Sequence, residues 1–207
     1  MISMVHMNQK HIVIHLYIHY LILIKNSLYY KYTIDYGLNM WLNGGTPNNK
    51  LVLGLALYGR CWTLSSNAPG QGLLSKSKGD SKEGEWTRTG GFLAYFEINN
   101  YIKNGGIVNY DEYTKSNYIQ FNGDQWCSYD SKLSLLDKLN YAMKNNLYGV
   151  MFWALDQDEY ITESYPLINY VVENSKVCKK RDKNHNNGNK NDENLVEEFD
   201  VNYNITN

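Results

Sequence analysis

Three carboxylates crowd the run Asp156-Gln157-Asp158-Glu159. On a strand Asp156 and Asp158 share a face, and nearby carboxylates whose pKa values are pushed apart can divide the work of general acid and base. The commoner fate of carboxylates just past an apolar strand is to stay solvated or to cap the next element. A second candidate is the pair Tyr58 and Arg60, two residues apart in an apolar run, so that on a strand both project to one side. A phenol and a guanidinium fork together offer donors and an acceptor to a polar ligand. Alternatively they form a structural pair in which the Arg stem packs. Trp153, at the end of another apolar run, reads by residue type alone as a core tryptophan.

The elements that must hold these residues are legible from periodicity. Residues 50–64 (KLVLGLALYGRCWTL) and 148–155 (YGVMFWAL) are nearly continuous apolar runs, which predict strands buried on both faces, as in a parallel sheet. Leu133, Leu136, Asn140 and Met143 mark a helix capped by Asp130 or Ser131, and a helix followed by a buried strand is a barrel unit. Ile34, Leu38 and Trp41 recur at helical spacing, with Gly44-Gly45 and Pro47 as the stop. Ser164-Tyr165-Pro166 opens a last helix with Leu167, Tyr170 and Val171 on one face. Residues 65–90 have loop composition and 92–126 read as short alternating strands with turns, which together suggest an inserted α+β lobe. After Lys176 the chain turns polar, and residues 179–194 show no apolar period and are expected to be disordered. Residues 11–24 (HIVIHLYIHYLILI) are apolar but hold three His, too short a run to span a bilayer. They read as a signal-like segment or as non-native sequence, and residues 1–31 are expected to lie outside the folded unit.

Composition narrows the partners. Lys and Arg total 20 against 21 Asp and Glu, a formal charge of −1, so no overall field draws nucleic acid or an anionic membrane. The outlying numbers are 19 Tyr and 5 Trp among 207 residues, which suit stacking on flat rings, sugars among them, or a Tyr-rich core. Cys61, Cys127 and Cys178 are too few and too scattered for a metal cluster or a disulfide scaffold, and leave the redox compartment open.

Four ordered blocks carry a resemblance. Gly-Gly-Thr-Pro-Asn-Asn-Lys-Leu-Val-Leu-Gly running into Tyr58-Gly59-Arg60 is similar to the approach and seventh barrel strand of family 18 chitinases. Gly90-Gly91-Phe92-Leu93-Ala94-Tyr95-Phe96-Glu97-Ile98 resembles the family's insertion-domain signature. Gln125-Trp126-Cys127-Ser128-Tyr129-Asp130 follows, and Gly149-Val150-Met151-Phe152-Trp153-Ala154-Leu155-Asp156 resembles its eighth strand. The resemblance covers about residues 33–175. It implies an α/β fold, the C-terminal portion of a (β/α)8 TIM barrel with an inserted small α+β domain. Partial barrel is expected at 32–64 and 127–176, the insertion at 65–126, and a disordered polar tail at 177–207. Because a complete barrel takes about 250 residues or more, roughly its first half is absent. Residues 32–176, with barrel edges unpaired, are expected to aggregate.

The resemblance also implies what the site does. It places Tyr58 and Arg60 in a substrate cleft and makes Trp153 the stacking floor beneath a sugar, with chitin or N-acetylglucosamine oligosaccharides as partner, no cofactor, no metal and a secreted location. Trp86, Tyr95 and Trp126 are read as fold residues. The family's D-x-x-D-x-D-x-E strand, whose Glu is the proton donor and whose preceding Asp orients the substrate's own N-acetyl nucleophile, has no counterpart in the sequence, nor does its Met-x-Tyr-Asp segment. No catalytic residue is therefore assigned, and the chain is expected to be an inactive chitinase fragment or, alternatively, a non-catalytic oligosaccharide-binding relative. Many relatives have a Cys after the Glu-Ile segment, paired with one in the loop after the eighth strand. Here Asn99 takes the first place and residues 161–165 hold no Cys. Thr89 stands where relatives often have a Glu beside the Gly-Gly, and Asn204-Ile205-Thr206 is a glycosylation sequon.

Overall fold

The computed structural model describes residues 3–7, 11–15, 33–73 and 75–185, with side chains described for 33–73 and 75–175. In chain order the elements are β1 (Ser3–Met7), β2 (His11–His15), α1 (Ile34–Asn43), β3 (Leu51–Ala56), β4 (Tyr58–Leu64), β5 (Ser77–Asp80), β6 (Phe92–Ala94) and α2 (Tyr95–Lys103). They continue with β7 (Ile107–Asp111), β8 (Ser116–Phe121), β9 (Gln125–Tyr129), α3 (Lys132–Lys144), β10 (Gly149–Trp153) and α4 (Pro166–His185).

One sheet has the order β1-β2-β3-β10, and its last three strands are parallel. Parallel neighbours need crossovers. α1 lies in the connection from β2 to β3, and α3 precedes β10. The helix starts are set by side chains: the Thr33 hydroxyl accepts from the Tyr36 N–H, and the Ser131 hydroxyl from the Leu133 N–H. Ile34 and Leu38 of α1, Leu51, Leu53 and Leu55 of β3, Leu135 and Leu139 of α3, and Leu167 and Val171 of α4 close into one core. The buried stripe of α3 runs through Leu135, Lys138, Leu139 and Ala142. The period expected there is right, but the face is rotated from Leu133, Leu136 and Asn140.

The second sheet is antiparallel, ordered β5-β4-β9-β8-β7 with β6 beside β4. One of its faces packs on α2 through Cys61, Leu93, Ile98, Ile119 and Cys127.

Three features differ from expectation. Residues 50–64 are two strands, because at Leu57 the chain leaves one sheet for the other: its N–H donates to the Trp153 carbonyl (3.0 Å) and its carbonyl accepts from the Tyr95 N–H (2.9 Å). Residues 11–15 join the fold. The backbone of β3 presents an edge that needs partners, and β2 supplies them at Ile12↔Leu51, Val13↔Val52 and Ile14↔Leu53. Finally, α4 continues to His185, past the residue 177 at which the disordered tail is expected to begin. The remainder of the expected tail, 186–207, with its sequon, lies outside the described residues, as do 16–32.

The pairing of β2 predicts an effect of truncation. Removing residues 1–31 strips the partner from β3 and leaves an apolar parallel strand with an open edge. Residues 32–176 should partition into the insoluble fraction well beyond the 207-residue chain, read by sedimentation and light scattering at equal expression. Equal solubility and a monodisperse, cooperatively melting short form would contradict it.

Candidate functional site

The junction at Leu57 builds the site. Because the Leu57 N–H holds the Trp153 carbonyl, the end of β10 is fastened one residue before Tyr58, the first residue of β4. Trp153, Tyr58 and Arg60 are thereby brought to the same junction of the two sheets. Trp153 is 46 % exposed, although β10 is otherwise half-buried, and the Trp153–Ala154 peptide bond is cis. Tyr58 is buried and Arg60 exposed. The Arg60 guanidinium carbon lies 5.4 Å from the centre of the Phe92 ring and 5.9 Å from that of Tyr58, and the two rings are 4.9 Å apart. Cation–π contact with both rings pre-orients the guanidinium while its N–H groups remain at the surface.

Gly59 is fixed by a close approach. A Cβ there would lie 2.7 Å from Ile98 Cδ1 and 2.9 Å from the Ser128 carbonyl oxygen, so only glycine lets α2 and β9 close on β4 between the two site residues.

The carboxylates after β10 do not form a pair. Leu155–Gln157 is a short 3-10 turn that leaves Asp156 exposed. Asp158 is 0 % exposed, and its Oδ2 accepts from the Leu167 N–H (3.1 Å) and the Ile168 N–H (3.0 Å) at the start of α4. Asp158 is thus a helix cap, the commoner of the two uses its position suggested. Glu97 is structural as well: buried, its Oε1 accepts from the N–H groups of Trp86 (2.8 Å) and Thr87 (3.1 Å), and its Oε2 from that of Ala94 (3.0 Å). Among the three aromatics read as fold residues, Trp126 is buried, and Tyr95 is half-buried with its phenol pushed up to about 12, mainly by burial and then by Asp158 and Glu159. Trp86 is mostly exposed and meets Phe96 only edge-on.

Two ties were not legible in the sequence. Cys61 and Cys127 are directly opposite in β4 and β9 and are joined by a disulfide, both fully buried. Three scattered Cys gave no pairing; Cys61 sits in an apolar strand run but Cys127 in the mixed strand Gln-Trp-Cys-Ser-Tyr, so only their register across the sheet reveals the bond. The other tie is Asn99 Nδ2 donating to Glu159 Oε2 (3.1 Å), which joins α2 to the loop after β10. Phe92, the second ring against Arg60, stands out in the sequence only as one residue of the Gly-Gly-Phe-Leu-Ala block.

The family model described as glycosyl hydrolases family 18 matches residues 16–158. A protein named probable chitinase 10 from Drosophila melanogaster is 38% identical over 130 residues, 62% of this chain and 6% of its own length. Among solved structures, an immunomodulatory active chitinase from Trichuris suis, TsES1, superposes with TM-score 0.70 at 27% identity, covering 77% of this chain and 45% of that one. Human YKL-39, described as a pseudo-chitinase with retained chitooligosaccharide binding properties, gives 0.63 at 31% identity, covering 69% and 39%. The chain spans less than half the length of each of these proteins. The match begins at residue 16, ahead of residue 33, where the resemblance carried by the four blocks begins. With the match extending over most of its length, the chain belongs to glycosyl hydrolase family 18.

Proposed function

We infer that this chain binds chitooligosaccharides along the wall formed by Tyr58, Arg60 and Trp153, and that the 207 residues as they stand do not hydrolyse them. The observation that carries the reading is the fastening of Trp153 to the root of β4, which sets an exposed indole at the start of the strand on which Arg60 rests against two neighbouring rings. An indole meets the apolar C–H face of a pyranose and the guanidinium meets its hydroxyl and carbonyl oxygens, while Tyr58, 3 % exposed, supports Arg60 from beneath. The likeness to YKL-39, a pseudo-chitinase that retains chitooligosaccharide binding, supports binding without turnover. In this reading β2, β3 and β10 are strands of the family's (β/α)8 barrel, and the antiparallel sheet with α2 is its inserted domain. The Cys61–Cys127 disulfide supports an oxidising, extracellular location. A second reading, a fragment of an active chitinase, is favoured by the likeness to TsES1. The transcript upstream of this sequence decides between them, because an active parent encodes the D-x-x-D-x-D-x-E strand.

The binding test is calorimetry with the N-acetylglucosamine trisaccharide. Trp153→Ala should weaken binding by about 2 kcal/mol, roughly thirtyfold, as expected for a central aromatic anchor. Unchanged affinity in that variant would remove Trp153 from the site.

A further inference from the structure

The face of the second sheet that carries Arg60 does not end there. Side chains alternate along β4, so Tyr58, Arg60 and Trp62 lie on one face while Cys61 turns to the other, against α2. Trp62 is paired directly with Trp126 of β9, their ring centres 5.7 Å apart, and Trp126 is stacked on Tyr118 of β8 at 5.5 Å. Trp126 belongs to the packing: it is 7 % exposed, and its indole N–H donates to the Gln71 carbonyl (3.3 Å) in the loop that crosses this face. Trp62 is different. It leans on Trp126 from the rim and leaves 36 % of its surface to solvent.

We propose that Trp62 is an additional sugar-stacking position, taking one N-acetylglucosamine unit of a longer chitooligosaccharide beyond those held at Trp153, Tyr58 and Arg60, an inference that rests on the oligosaccharide reading above. The occupant follows from continuity and chemistry. From the Trp153 fastening point the order along β4 is Tyr58, Arg60, Trp62, so a chain lying against Arg60 and running away from Trp153 next meets Trp62. Two strand residues advance roughly 6.8 Å, a step comparable to one pyranose ring and its linkage. The polar neighbour supplied by Arg60 matches the hydroxyl edge of a sugar whose C–H face lies on the indole. Trp126 and Tyr118 serve as positioning residues, backing the indole so that it is ordered before the sugar arrives and loses little freedom on binding.

The test compares the tri- and hexasaccharides of N-acetylglucosamine by calorimetry on the 207-residue chain. The wild-type chain should bind the hexasaccharide about tenfold more tightly than the trisaccharide. Trp62→Ala should remove most of that advantage and leave trisaccharide affinity unchanged, while Trp62→Phe keeps the larger part of it. Should Trp62→Ala fail to fold, a 19F label on the position-62 indole of the otherwise unaltered chain reads the same contact: its resonance should move with hexasaccharide and not with trisaccharide. Trisaccharide binding that is lost in Trp153→Ala, with equal effects of Trp62→Ala on both lengths or none on either, overturns the Trp62 position alone. No binding of either sugar by the wild-type chain overturns this proposal together with the reading beneath it.

Discussion

The purified 207-residue chain, incubated with a fluorogenic chitobioside, should release product no faster than buffer. Substrate-assisted glycoside hydrolysis needs a proton donor beside the glycosidic oxygen and a carboxylate that holds the N-acetyl nucleophile, and general acid catalysis alone is worth roughly 10²–10⁴ in rate. The sequence holds no D-x-x-D-x-D-x-E motif. The carboxylates that follow β10 are otherwise engaged: Asp158 is buried against the N–H groups that open α4, and Glu159 accepts from Asn99. Asp156 faces solvent in a single 3-10 turn. In the proposed reading Arg60 and Trp153 would hold ground state and transition state alike, and uniform binding does not raise kcat. Asp158→Ala should therefore lower stability and leave the blank assay unchanged, since losing a cap costs about 0.5–2 kcal/mol. Turnover that disappears in Asp156→Asn or Asp158→Asn would refute this and make those carboxylates catalytic.

How far the sequence reached depended on whether a feature was local. The spacing of Ile34 and Leu38, the stop at Gly44-Gly45 and the Pro opening of α4 are decided by neighbours in the chain, and the helices fall there. The strand at 148–155 was legible from its apolar run, although β10 is half-buried and not, as expected, buried on both faces. What failed was non-local. In KLVLGLALYGRCWTL nothing marks Leu57 as the point where the chain changes sheets, because its partners, Trp153 and Tyr95, come from far along the chain. The run 11–15 lies in a segment whose composition reads as signal-like or non-native, yet a parallel strand needs a neighbour more than it needs a regular pattern. Asp158 was placed correctly among capping carboxylates, while the helix it caps could be named only from the structure. Tyr58, Arg60 and Trp153 owed their selection to the resemblance. The double ring contact that orients Arg60 requires Phe92, which periodicity alone would have left as one more apolar residue of a short strand.

A buried charge pair sets the largest stability effect. Asp130, between β9 and α3, is 2 % exposed; its Oδ2 accepts from Lys138 Nζ at 2.5 Å and its Oδ1 from the Ser134 hydroxyl at 2.8 Å. Lys138 lies two turns into α3 on the stripe that packs on the core, a place where an unpaired cation is costly. Replacing Lys138 with Met keeps the volume and the apolar stem but leaves the carboxylate dry, with one hydroxyl for company. Breaking a buried pair from one side costs about 3–5 kcal/mol, out of the roughly 5–15 that hold a domain together. The midpoint of thermal unfolding should fall by about 10 °C in Lys138→Met. In the double variant Lys138→Met, Asp130→Leu no charge is left behind, and more than half of the loss should return, because two apolar groups of similar size bear burial better than one stranded carboxylate. A single variant that melts with the wild-type chain would mean that water reaches Asp130. A double variant no better than the single would mean that Asp130 acts through Ser134 and the start of α3, and not through its charge pair.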